Sequence, residues 1–340
     1  MRRFTVCAKV VHRLSVIHKI YLNIDNITVG VFRENMNEVK VLAQATVSNV
    51  VCGFDCLGFA LDGPCDEMTV RKIRERTVRI INHDDYGLPT DAARNVAGVA
   101  LNALIAAAGL DHGFEVEITK NIKPGSGIGS SAASACGAVV AANRLLDDRF
   151  SKLELVDLAM AGEMLASGSR HADNLAPCIF GGFTLVRSTD PLDIVSIDFP
   201  PLFAIVIHPQ IEIKTSEARA MLPKQVLLVD AIRNWSNLGS LVAALARGDY
   251  GLISRSLEDT IVEPVRKSLI PKFDEIKSAS IAAGALGGGI SGSGPSVFML
   301  SETLDAAEKV ESAMRYVYNP TGIAYHTYVS RIHPDGIRFV

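Results

Sequence analysis

Apolar and polar positions along this chain alternate with a strand period of about 2 in some stretches and a helix period of about 3.6 in others. Val39–Val47 alternates regularly enough for a strand, and Glu67–Lys72 with Thr77–Ile81 reads as a strand pair. Asp91 to Ala108 is a helix, with Val96, Val99, Ala103 and Ala107 on one face and Gly109 as its stop. A strand-like run, Phe114–Thr119, leads through a glycine-rich segment into an Ala-rich helix, Ser130–Leu146. Ser151-Lys152-Leu153-Glu154 has the form of a capping box and opens a third helix to about Ser167. Strands near Gly182–Arg187 and Ile194–Asp198 follow. Beyond Pro200-Pro201, the clearest linker, come a strand at Phe203–Ile207 and helices around Val226–Ala246, Gly251–Ser256 and Lys272–Ala283. A strand at Ser296–Leu300, a helix at Leu304–Tyr316 and a strand at Ala324–Ser330 close the chain. The pattern is α+β in two layers, with one domain over 36–200 and a second over 201–340.

Residues 1–35 lack this patterning. Six basic side chains there face only Asp25 and Glu34, and Lys9, His12 and Arg13 interrupt any apolar run of signal-peptide length. The segment is expected to lie outside the fold, with organised sequence opening at Met36. Three readings compete, a transit segment, a real extra element and sequence upstream of the true start, and the third is the one expected.

Composition narrows the class. With 340 residues, 48% hydrophobic and 21% charged, the chain has ample material for a buried core, as soluble enzymes do. A net charge of −3 argues against a broad nucleic-acid surface. No apolar run is long enough to span a membrane. The six cysteines, Cys7, Cys52, Cys56, Cys65, Cys136 and Cys178, show no metal or disulfide spacing and read as reduced thiols of a cytoplasmic protein.

The chemistry concentrates in two glycine-rich segments, one in each half. Pro124-Gly125-Ser126-Gly127-Ile128-Gly129-Ser130-Ser131 sits at a strand-to-helix junction. There the free N–H groups and partial positive charge of a helix start make a site for phosphate. It is neither a Walker A loop nor a Rossmann fingerprint. The second segment, Gly287 to Ser296, lets backbone pass very close to another group. Together they suggest a cleft closed over a nucleotide and a second substrate. Ser131 can offer a hydroxyl to Mg²⁺, and Glu163, in register with Val156, Ala159 and Met160, can offer a carboxylate. A structural ion pair is the other reading of Glu163.

These two segments resemble the phosphate loop and the C-terminal glycine motif of the GHMP small-molecule kinases. A third signature, Ala45-Thr46-Val47-Ser48-Asn49-Val50-Val51-Cys52-Gly53-Phe54-Asp55-Cys56-Leu57-Gly58, resembles the homoserine kinase form of that superfamily. Gln44 and Val51 depart from it, where the family often has Pro and Gly. The resemblance implies an N-terminal domain like ribosomal protein S5 domain 2 and a ferredoxin-like C-terminal domain. It also implies ATP-dependent phosphorylation of L-homoserine to O-phospho-L-homoserine on the route to threonine, with ATP and Mg²⁺ as cofactors. The nucleotide would be held by Asn95, Thr215 and the loop Pro124, Gly125, Ser126, Gly127, Ile128, Gly129, Ser130 and Ser131, and the metal by Ser131 and Glu163. Asn49, Asp55, His171, Asn174, Arg219 and Arg266 would line the homoserine pocket, with Arg219 and Arg266 clamping the carboxylate and Asp55 facing the ammonium. Asn174 and Arg219 would carry the catalytic roles. Asn174 stands where several relatives have an aspartate, so transfer without a protein base is implied, and Asp173 is expected to point away. A kinase for another small alcohol, mevalonate- or shikimate-like, and a non-catalytic binding relative remain as alternatives. The expected partner is a small molecule, with no nucleic acid and no membrane, and a homodimer is left open.

Overall fold

The computed structural model describes residues 37–213 and 215–340, with the side chains of all but Thr215 and Ser216. The chain divides into two units, Met1–Glu38 and Val39–Val340, so the expectation for residues 1–35 lies outside the described residues.

The first sheet has the order β11-β1-β2-β4-β3, with β5 and β6 joined through β2. Its strands are β1 (Glu38–Val50), β2 (Gly53–Ile73), β3 (Val78–Asn82), β4 (Gly113–Thr119), β5 (Phe183–Thr189), β6 (Leu192–Ile197) and β11 (Arg338–Phe339). Helices α1 (Val96–Ala108), α2 (Ser130–Leu145), α3 (Lys152–Ser167) and α4 (Leu175–Phe180) pack against one another, and α2 lies on β2. Ser151 and Glu154 form the expected capping box, and Gly109 ends α1 in the left-handed conformation. Helix α1 starts later than Asp91 because Asn95 caps it, its Oδ1 accepting the amides of Ala97 (2.9 Å) and Gly98 (3.4 Å).

The expected pairing of Glu67–Lys72 with Thr77–Ile81 does not form. β4 inserts between them, antiparallel to β2 and parallel to β3. Four residues separate β2 from β3, which invites a hairpin, but Val116 of β4 sits between Val70 of β2 and Ile80 of β3 and matches both apolar faces. Strand β2 is also far longer than its pattern announces, because Gly53, Gly58, Gly63 and Pro64 punctuate it.

The second sheet has the order β10-β7-β9-β8, antiparallel throughout, from β7 (Phe203–Pro209), β8 (Gly287–Ile290), β9 (Val297–Ser301) and β10 (Tyr325–Arg331). In chain order this is fourth, first, third, second, the order of a ferredoxin-like layer. Between β7 and β8 run α5 (Thr215–Ala220), α6 (Leu228–Arg247), α7 (Tyr250–Ser256), α8 (Glu263–Arg266) and α9 (Phe273–Ala282), and α10 (Leu304–Tyr318) precedes β10.

Alternate residues of β7 serve two cores. Ile205 and Ile207 join Ile276 of α9 and Val310 and Met314 of α10, whereas Ala204 and Val206 join the core of the first lobe. A strand buried on both faces explains the uninterrupted apolar run at 203–207. The chain then returns to the first sheet, where β11 pairs with β1 through Val41 and Leu42. The two lobes therefore share packed interior, and the cleft between them has stiff walls. Among the described residues no helix is long and apolar enough to cross a membrane, and the five described cysteines are free.

Candidate active site

The turn from β1 into β2 carries three non-glycine residues at positive φ: Asn49 (55°), Val51 (49°) and Asp55 (57°). Asn49 stabilises this turn with its own side chain. Its Oδ1 accepts the Asp55 amide at 2.7 Å, and its Nδ2 donates to the Gly292 carbonyl at 2.8 Å. Asp55 is thereby aimed into the cleft, and the first motif is tied to the second glycine segment.

The loop before α2 is bound to that same segment. Ser291 Oγ donates to the Gly127 carbonyl (2.7 Å) and Ser296 Oγ to the Ser126 carbonyl (2.6 Å). Gly127, at φ 81°, has no room for a side chain, since a Cβ would lie 2.6 Å from the Gly294 carbonyl oxygen. Gly129, at φ 73°, faces Thr46 Oγ1 at 2.1 Å by the same measure. The loop's N–H groups and the start of α2 consequently stay open to a ligand. Ser126 Oγ is fully buried and meets no partner.

Ser131 Oγ donates to Glu163 Oε2 at 3.1 Å, joining the first turn of α2 to the C-terminal half of α3. Burial lifts the Glu163 carboxyl to about 7, and among the described residues it forms no ion pair that would hold it down. Beneath the loop, buried Lys120 is ion-paired with Asp66 and donates to the Ser130 carbonyl and to Ser134 Oγ, both at 2.9 Å.

Opposite the loop, Arg219 Nη2 reaches both carboxylate oxygens of Asp55 at 2.9 Å and His171 Nε2 at 2.9 Å. Accepting from a guanidinium requires His171 to be neutral at Nε2, and burial lowers its pKa. Arg266 is only 3% exposed, and it donates to the carbonyls of Ala218 (3.1 Å) and Gly292 (3.4 Å). Asn174 accepts from Thr46 Oγ1 at 2.8 Å and donates to Ser48 Oγ at 2.9 Å, which fixes its amide orientation. Asp173, expected to point away, faces the same cleft. Its carboxyl bonds to Ser48, and burial with the Asp55 charge lifts it to about 6.

The cleft has a volume of about 380 Å³. Its wall brings together Asn49, Asp55, His171, Asn174, Arg219 and Arg266 with Glu163 and the loop residues Pro124, Gly125, Ser126, Gly127, Gly129, Ser130 and Ser131. Asn95 and Ile128 are not in the wall. The Asn95 amide is spent on the α1 cap and on the Pro89 carbonyl, while Ile128 is fully buried and offers its carbonyl to the Thr46 amide. The Thr215 side chain is not among those described. Sequence patterning missed Ser48, Lys120 and Asp173. The signal that could have found Lys120 is its place directly after β4, one residue beyond the apolar alternation of Phe114, Val116 and Ile118.

Known proteins match along the chain. Residues 95–182 match the GHMP kinases N terminal domain, and residues 241–320 the GHMP kinases C terminal domain. A homoserine kinase of Chloroherpeton thalassium is 46% identical over 296 residues, 83% of this chain and 93% of that protein. One of Chlorobaculum tepidum is 42% identical, covering 90% of this chain and 99% of the relative. The crystal structure of homoserine kinase from Cytophaga hutchinsonii superposes with a TM-score of 0.87 at 47% identity, over 90% of this chain and 99% of that one. The Leishmania (L. major) mevalonate kinase structure, at 15% identity and a TM-score of 0.67 over 87% and 96% of the two chains, shares the fold.

Proposed function

The chain belongs to the homoserine kinases of the GHMP kinase family, and on that footing we propose that it transfers the γ-phosphoryl group of ATP to the side-chain hydroxyl of L-homoserine. The observation that carries this reading is the charge pattern opposite the phosphate loop. Asp55 and Arg219 neutralise one another in the cleft, and Arg266 is a buried cation beside them. An amino acid zwitterion satisfies all three, its ammonium taking Asp55 and its carboxylate taking the two guanidinium groups. A sugar or a hydroxy acid leaves the half-buried Asp55 without a cation once Arg219 turns to the ligand, and a charge pair of that kind loses its coupling when one partner goes.

On the nucleotide side, the open N–H groups of the loop and the start of α2 supply fixed positive dipoles for the phosphates. Ser131 and Glu163 are the residues that would hold Mg²⁺. The fit rests on a partly buried carboxyl lifted to about 7 by burial, next to a hydroxyl 3.1 Å away. Among the described residues no cluster of three or more His, Cys, Asp or Glu side chains could cage a metal. That suits Mg²⁺, which keeps waters and substrate phosphates as most of its ligands. When bound, the ion neutralises charge on the β- and γ-phosphates.

Asn174 holds no exchangeable carboxyl proton. With its amide fixed by Thr46 and Ser48, it positions the substrate hydroxyl in line with the phosphate. The reaction is carried by alignment and charge, which phosphoryl transfer chiefly requires.

The test is ADP release with L-homoserine, 4-hydroxybutyrate, mevalonate and shikimate. Homoserine alone supports fast turnover, and Asp55→Asn loses most of the preference over 4-hydroxybutyrate. Equal use of both by the native protein overturns the assignment.

A further inference from the structure

Phe54 lies beside the two arginines of the cleft, and the phosphoryl transfer described above gives it no task. Arg266 Cζ stands 5.0 Å from the centroid of its ring, and Arg219 Cζ 5.9 Å. These two guanidinium groups belong to different helices, α5 and α8, and each raises the cost of the other's charge. Arg219 has Asp55 as a partner. Arg266 forms no ion pair among the described residues; Asp55 and Asp259 act on it only as more distant charges. Two carbonyls and the Phe54 ring are its contacts.

A buried guanidinium without a carboxylate is costly, and the negative face of an aromatic ring is one of the few neutral groups that lowers this cost. Phe54 is held for that task. It follows Gly53 at the very start of β2, directly before Asp55, and with Val51, Val262 and Arg266 it lines a small cavity of about 10 Å³. A shift of the ring changes its distance to both cations at once.

Resting on the homoserine kinase reading, we propose that Phe54 is a positioning residue whose ring face holds Arg219 and Arg266 convergent in the empty site, so that the carboxylate of the amino acid substrate meets a preformed clamp. The ring stands in for that carboxylate until it arrives. Its action is electrostatic as well as steric, and it bears on the amino acid and not on the nucleotide.

Fluorinated phenylalanines separate the two effects, because fluorine drains the ring face of negative charge with little change of shape. The full-length protein is prepared with 4-fluoro-, 3,5-difluoro- and 3,4,5-trifluorophenylalanine at position 54. Homoserine binding is then measured by calorimetry, together with KM for both substrates and kcat. The expected result is a graded weakening of homoserine binding that reaches about three- to tenfold at the trifluoro ring. The ATP KM stays unchanged and kcat stays within twofold. Phe54→Leu falls at or beyond the end of the series. A flat series in protein that binds homoserine normally overturns the proposal and leaves a packing role. Failure of the native protein to bind or phosphorylate homoserine defeats the functional reading itself, which is a separate outcome.

Discussion

Val51 and Gln44, the two positions where the first motif is expected to break the family resemblance, each carry a local cost. A β-branched residue at φ 49° is strained by about 1–2 kcal/mol. Val51 is also buried in the main core, and burial of a valine contributes about 1.5–3 kcal/mol. Packing therefore outweighs strain, and Val51→Gly is expected to destabilise by only about 1 kcal/mol in urea unfolding, against about 3 for Val47→Gly, an unstrained core residue of β1. Gln44 is fully buried in β1, and neither Nε2 nor Oε1 meets a partner. Gln44→Met, of similar shape, is expected to gain about 1–2 kcal/mol with both KM values unchanged. A loss of stability would show that an ordered water satisfies the amide. The departures were legible as sequence, but their sign was not, because it depends on burial that no local pattern records. Glu163 was legible through its helical register beside Val156 and Met160. Asp173 was not: residues 173–174 lie in a turn, where the rule that neighbours face opposite ways does not hold, and both side chains reach the cleft.

At the level of elements, most helices and strands were readable because their caps and periods are local. Gly109 and the Ser151–Glu154 box fall where the pattern puts them. The strand order was not readable, since whether β4 enters between β2 and β3 is decided by matching faces far apart in sequence. The same holds for the two glycine segments. Their composition announces close approach but not to what, and the answer is to each other, through Ser291 and Ser296. This stitching makes the phosphate loop part of the second lobe's sheet. Ser296 is fully buried, so Ser296→Ala leaves the Ser126 carbonyl without its donor. The ATP KM is expected to rise about three- to tenfold and the homoserine KM to change less than twofold, with a stability loss of about 1–2 kcal/mol. A rise confined to the homoserine KM would place the contact's effect on the other side of the cleft.

Across the whole molecule, the buried ionisable groups set opposing pH dependences that the site's ligands should shift. Glu163 is lifted from 4.5 to about 7 and Asp173 from 3.8 to about 6. In both, the folded protein holds its proton more tightly than the unfolded chain, so stability present at low pH is lost as pH rises through those values. His208, 2% exposed beside Lys123 and His326, is lowered from 6.5 to about 4. There the unfolded chain binds the proton first, so stability falls as pH drops below about 6.5. Between about 4.5 and 6 the two trends oppose, and above 6.5 the Glu163 cost is the one still growing. Raising a carboxyl from 4.5 to about 7 corresponds to roughly 3 kcal/mol at alkaline pH. The empty native protein should therefore lose several degrees of Tm between pH 6 and 8, and Glu163→Gln should flatten that decline and gain about 2–4 °C at pH 8. The same substitution should cut turnover at least about tenfold, roughly 1.4 kcal/mol of barrier. MgADP should also flatten the native decline, because a cation beside Glu163 favours its ionised form. ADP without the metal should do so much less. If Glu163→Gln keeps full turnover, or if its Tm falls with pH as steeply as the native protein's, Glu163 is neither the metal's carboxylate nor the source of the alkaline loss. Asp173, lifted to about 6, accounts only for the part of the decline near pH 6, and Asp173→Asn measures that part.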